Sequence, residues 1–242
     1  MEAIFKARAK ARAEGKGGNA SFHRIPAGYS NATYEWEPAS NKWTERAPMP
    51  TKRSGGAAAV LDGKIYVAGG RTRETGADFA VYNPKTDRWE KLPNVPTQRN
   101  HLGVVATAGK IWVVGGRFGP SFISKQSDAL EAYDPKTHTW SKMKSMPKPR
   151  GGINVVAAAG CIHVFGGEGN SDSASGVWPD HDVYNPKTDS WTSLDPMPIP
   201  VHGVTGAAVI DGWIHLPGGG KRIGGSSGDR IHQVVRASLN CL

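Results

Sequence analysis

A Gly-Gly doublet closes a short apolar run four times in this chain, at residues 69–70, 115–116, 166–167 and 218–219. The runs are Ile65-Tyr66-Val67-Ala68, Ile111-Trp112-Val113-Val114, Ile162-His163-Val164-Phe165 and Ile214-His215-Leu216-Pro217. Trp43, Trp89, Trp140 and Trp191 recur with nearly the same spacing. A period of about fifty residues is the mark of one supersecondary unit repeated in space. Each unit opens with small residues (55–61, 103–108, 152–159, 203–210), turns tightly, and runs into the apolar segment. Asp62-Gly63 and Asp211-Gly212 are hairpin turns that need positive φ. A third segment ends in Tyr82, Tyr133 or Tyr184, followed by Asn-Pro-Lys-Thr-Asp or Asp-Pro-Lys-Thr-His and then by the Trp. Proline presets φ for those turns. Four short antiparallel strands per unit, stacked face to face around an axis, satisfy this pattern. Continuous apolar residues in the second strand imply cover on both faces. Gly and Ala in the first strand suit the crowded centre of a radial array.

These markers resemble the kelch repeat over about residues 33–236: Arg-x-Gly, small residues, Ile-Tyr-Val-x-Gly-Gly, then Tyr-[Asp/Asn]-Pro-x-[Thr/His]-x-x-Trp. The last unit, with His202-Gly203 and Pro217-Gly218-Gly219-Gly220, is similar to the final blade of bacterial kelch-repeat, galactose-oxidase-like proteins. The resemblance implies an all-β propeller of four-stranded antiparallel blades. Complete repeats are expected at 51–98, 99–149 and 150–199. A partial blade holding strands three and four is expected at 25–50, and a C-terminal partial blade at 200–242. The count is four blades if the end pieces join, or five if residues 22–28 are a decayed strand. Either is low for the family, so a small intact ring and a truncated one both stay open. Open sheet edges invite self-association.

Residues 1–24 carry six Lys/Arg against two acids and form a basic tail, expected to be flexible. The formal charge of +9 favours anionic partners without selecting one. The chain has no nucleic-acid motif, no apolar run long enough to span a membrane, and no apolar region of a secretory signal. Two cysteines are too few for a disulfide framework or a dedicated metal site. Cys161 reads as a small buried residue and Cys241 as exposed and reduced, which favours the cytoplasm.

Strand parity puts the links after strand two (71–77, 117–128, 168–180, 220–229) on one face and the short stereotyped turns on the other. Binding residues concentrate on variable loops held by a rigid scaffold. Arg53, Arg99, Arg150 and His202 each lie ten residues before a turn glycine, which places them together at the channel mouth on the loop face. Arg71, Arg117, Glu168 and Lys221 flank them. Arginines so arranged bind carboxylate or phosphate in a bidentate manner. The resemblance also supports a structural role for the arginines, as ties to a neighbouring blade. Glu168, the lone acid, either pairs with Arg150 or Arg117 or transfers protons. Trp178 either stacks on a ligand or folds down over its blade. His163 and His215 read as packed residues, and alternation sends His181 away from Asp180 and Asp182, against a metal site.

Two function classes follow. The first is a binding module that presents its loop face to a protein, peptide or anionic sugar, with no cofactor. The second is a carbohydrate-active enzyme resembling sialic-acid mutarotase, with Glu168 as its acid or base. The copper chemistry of galactose oxidase is not expected from Cys161 and Cys241.

Overall fold

The computed structural model describes residues 29–71, 76–119, 121–203, 206–224, 228–237 and 239–241. The basic segment 1–24 and the decayed strand considered at 22–28 lie outside them. Among the described residues the protein is all strands and turns, and no helix is long and apolar enough to cross a membrane.

Five antiparallel sheets follow one another along the chain. The first holds β1 (Thr33–Glu37) and β2 (Lys42–Arg46). Three complete blades follow: β3 to β6 (Ala57–Leu61, Lys64–Ala68, Phe79–Asn83, Arg88–Leu92), β7 to β10 (Gly103–Thr107, Lys110–Val114, Leu130–Asp134, Thr139–Met143), and β11 to β14 (Asn154–Ala158, Cys161–Phe165, His181–Asn185, Ser190–Leu194). The last sheet holds β15 (Ala208–Ile210), β16 (Trp213–Pro217) and β17 (His232–Arg236). We number these blades one to five. Blade one has the register of strands three and four, with Trp36 opposite Trp43 as Tyr82 is opposite Trp89. The hairpin turns Asp62-Gly63, Ala108-Gly109, Ala159-Gly160 and Asp211-Gly212 all have positive φ at both central residues. That geometry matches the twist of the flanking strands.

The first strands β3, β7, β11 and β15 pack side by side around the axis. They line a channel of ≈ 500 Å³ walled by Gly, Ala and Val. Side-chain room is so limited there that a Cβ on Gly103 would collide with Val155. Gly103→Ala is therefore expected to cost about 1–3 kcal/mol by overpacking, read as a lower denaturation midpoint. An unchanged midpoint would mean that the inner strands can spread.

Each blade has a forward face, toward the next blade, and a rear face, toward the one before. Tyr66, Phe79 and Val81 on the forward face of blade two pack on Ile111, Val113 and Tyr133 on the rear face of blade three. Trp112, Val114 and Leu130 meet Ile162, Val164 and Tyr184 in the next joint. Val156, Ala158 and Phe165 meet Ile214 and Leu216 in the last. A tryptophan indole seals three joints by donating to a carbonyl of the preceding blade: Trp89 to Ala47, Trp140 to Pro93 and Trp191 to Lys144, each at 2.8 Å.

The cysteines depart from the sequence expectation. Cys241 is buried and bonded to Cys161 in a disulfide. Among the described residues blade five has three strands, and the chain after β17 turns back to blade four, where the Cys241 amide donates to the Ala159 carbonyl. Val183, Leu194 and Leu239 cover the bridge.

Candidate functional site

On the loop face, equivalent positions of successive blades are joined by backbone hydrogen bonds. The His101 amide donates to Gly55, Gly152 to His101, and Gly203 to Gly152. This ladder makes Gly55, His101, Gly152 and Gly203 counterparts. The residues two before them are Arg53, Arg99, Arg150 and Val201. His202 is thus not the fourth member of the arginine ring. Gly203 stands five residues before Ala208, whereas Gly152 stands four before the matching Val156, and the extra residue shifts the count from the turn glycine.

The three arginines do not line the mouth either. Arg99 and Arg150 are among the most buried side chains in the protein. Arg99 donates to the carbonyls of Thr97, Val113 and Gly115 and to Glu131 at 2.6 Å. Arg150 donates to the carbonyls of Gly166 and Asp180 and to Asp182 at 2.5 Å. Arg53 reaches the carbonyls of Gly69 and Asp78, but Ala80 occupies the position of Glu131 and Asp182, and its Nε and Nη2 have no hydrogen-bond partner. In blade five Val201 replaces the arginine and Gln233 replaces the acid, bonding the Ile199 backbone instead. Arginine and acid are one structural unit that fastens the loop-face link to strand three.

The mouth belongs to the next positions. The bridges Ser54–Arg71, Asn100–Arg117, Gly151–Glu168 and His202–Gly220 place these residues around the axis. Arg117 donates to Glu168 at 2.6 Å and to His101 Nε2 at 2.9 Å. His101 Nδ1 meets Asn100 Oδ1 at 2.6 Å. The other Glu168 oxygen accepts from the Gly224 amide at 3.0 Å and faces His202 Nδ1 at 3.3 Å, while His202 Nε2 meets the Arg222 carbonyl at 2.8 Å. Gly220 leaves the space that the His202 ring fills. Burial, then the charges of Arg117, Arg71 and His202, push His101 down to about 4, so it is neutral at neutral pH and accepts from Arg117. His101 also has φ of +53° where two counterparts are glycines with positive φ, a conformation unusual for a ring-bearing residue. Sequence reading missed it, although a His in the place of the repeat glycine was a visible signal.

The loops of blades three, four and five pack on one another over this network. Ile223 donates to Ser175, Gly169 abuts Gln126, and Gly224 abuts Phe122. Between blades two and three the described residues line a groove of ≈ 210 Å³, with Tyr29, Arg71, Gln98, Asn100, Phe118 and Gly119 among its walls. Phe118 is exposed in its wall, with Lys125 over the ring, and Phe122 and Ile123 are exposed further along the blade-three link. Trp178 is half-buried and folded onto its blade, with the Lys148 ammonium 4.6 Å above its ring and its indole N–H enclosed. Lys221 is tied to Asp229. His163 and His181 are buried against each other at 2.9 Å; burial holds them neutral, down to about 4 and about 3. His215, expected to be packed, is only half-buried, because among the described residues no blade covers that face. No group of three or more metal-ligating side chains occurs among the described residues.

Residues 17–219 match the family profile described as the KLHDC2/KLHL20/DRC7 Kelch-repeats domain. The chain belongs to the kelch-repeat family. Among curated kelch proteins it is similar to Kelch-like protein terF of Aspergillus terreus, at 32% identity over 207 residues, covering 79% of this chain and 44% of that one. It is similar to Kelch-like ECH-associated protein 1A of Danio rerio, at 37% over 97 residues, covering 38% and 15%. It is 28% identical to Kelch-like protein 36 of Bos taurus over 191 residues, covering 78% and 23%. The kelch chain described here thus spans less than half the length of these relatives. Its fold is shared with the solved structure of YjhT, with a TM-score of 0.62 at 22% identity, covering 81% of this chain and 74% of that one.

Proposed function

We propose that this kelch propeller is a binding module whose loop face takes an acidic segment of a protein partner in the groove between the links of blades two and three. The observation that carries the reading is Arg71 in the groove wall beside the exposed Phe118. A guanidinium recognises a carboxylate in a planar, bidentate manner, and an exposed aromatic beside it supplies the apolar anchor that interface hot spots use. The formal charge of +9 draws an anionic segment to the face. One relative carries association with ECH in its name, which fits a partner-binding role for the repeat. Arg117, Glu168 and His202 hold the loops that shape the groove, with Arg53, Arg99 and Arg150 fastening the scaffold behind it and Trp178 bracing blade four.

The test is titration of the chain with fluorescent peptides that carry paired Asp/Glu next to an aliphatic residue. Arg71→Ala and Phe118→Ala should each weaken binding by about tenfold, equivalent to roughly 1.4 kcal/mol, and added salt should weaken it further. Equal affinity for a neutral peptide, or no change in Arg71→Ala, would sink the reading. An anionic sugar offers the same carboxylate chemistry and is the competing ligand in the same titration. The mutarotase alternative needs Glu168 to exchange a proton with a sugar, yet both its oxygens are occupied by Arg117, Gly224 and His202. That occupancy supports binding over turnover. Anomer interconversion that Glu168→Gln abolishes would reverse this preference.

A further inference from the structure

Among the described residues, the row of blades ends in two uncovered faces. The forward face of blade five presents Ile210, Trp213 and Val234, exposed at 55%, 44% and 46%, with His215 and His232 between them. The rear face of blade one presents Tyr34, Trp36 and Trp43, exposed at 57%, 47% and 69%. A contiguous exposed apolar patch marks an interaction site.

Each uncovered face is one half of a contact that recurs inside the molecule. In the interior joints, the ring at the third position of strand two and the first residue of strand three pack on the Tyr and Trp of the next rear face. Tyr66 lies 6.5 Å from Tyr133, Phe79 lies 4.8 Å from Tyr133 and 5.0 Å from Trp140, and Trp112 lies 5.5 Å from Tyr184. His215 and His232 hold those forward positions in blade five, and Trp36 and Trp43 hold the rear positions in blade one. Among the strand residues of each face, the only Asp, Glu, Lys or Arg on the rear face is Glu45, opposite Tyr34, and that on the forward face is Arg236, opposite Trp213, so the forward-on-rear pairing joins no like charges.

We infer that the forward face of blade five docks on the rear face of blade one of a second copy, so that chains associate head to tail. The contact is heterologous, and it uses stacked blade faces rather than the pairing of exposed strand edges. It is independent of the loop-face groove. The test needs two single variants, Trp36→Glu and Val234→Glu, followed by light scattering over a wide range of concentration. The wild-type chain should exceed the monomer mass as concentration rises. Each variant alone should stay monomeric, because it keeps only one working face. An equimolar mixture of the two should form a dimer and nothing larger. A monomeric wild-type chain, a variant that assembles alone like the wild type, or a mixture that stays monomeric would each overturn the inference. If a melt shows either variant unfolded, Trp43→Glu and Trp213→Glu replace the exposed rings at the same two faces.

Discussion

Arg150→Ala should cost about 3–5 kcal/mol of folding stability, because it strands a buried carboxylate. Both side chains of the Arg150–Asp182 pair are essentially unexposed, at 0% and 1%. Taking two charges out of water is expensive, and their attraction repays this only while each satisfies the other. Asp182 would keep a single bond from Ser193, at 2.6 Å, and the Gly166 carbonyl would lose its bond from Arg150, while the Asp180 carbonyl would keep the Gly166 amide at 2.9 Å. Urea melts measure the loss. The double replacement Arg150→Met with Asp182→Leu should recover most of it, since neither charge is then left behind. Arg53 provides the internal contrast: among the described residues no salt bridge ties it to an acid, and two of its own nitrogens lack a hydrogen bond, so Arg53→Ala should be clearly milder. Equal losses at Arg53 and Arg150 would show that the carbonyl bonds, and not the ion pair, carry the effect.

Breaking the Cys161–Cys241 bridge should lower stability by about 2–5 kcal/mol. The two residues are 80 apart in sequence, so the bridge closes a loop that includes most of blade four and all of blade five. Cross-linking so long a loop removes much of the unfolded chain's freedom. It also holds the terminal strap over Val183 and Leu194. Reductant should lower the melt of the wild-type chain by as much as Cys241→Ser does without reductant. Limited proteolysis of the opened form should cut in blade five before blades two to four. A melt that ignores both reductant and the substitution would mean that the bridge adds nothing to the folded chain.

Much of the architecture is local and therefore readable. The Asp-Gly turns, the Asn-Pro turns and the Tyr–Trp pairs each sit within one hairpin, where turn chemistry and alternation set register without help from distant residues. The charged residues behaved differently. Counting ten residues back from a turn glycine grouped His202 with the arginines, because a count along the chain cannot detect the extra residue between Gly203 and Ala208. Chemical type alone suggested an arginine-lined mouth. The acids that claim those arginines, Glu131 and Asp182, lie 32 residues further on, and only the paired strands bring them within reach. The joint loss of both members in blade five, at Val201 and Gln233, was a signal present in the sequence that spacing by itself did not reveal.

The sequence by itself determined the repeat, the antiparallel blades and the division into a loop face and a turn face, because these follow from short-range patterns repeated in one order. Tertiary structure alone decided which cations stay at the mouth, that Cys241 meets Cys161, that Glu168 is held from three sides, and that blades one and five keep uncovered aromatic faces. Each of these depends on where segments more than thirty residues apart come to rest. Burial and pairing are properties of that juxtaposition and not of any single segment.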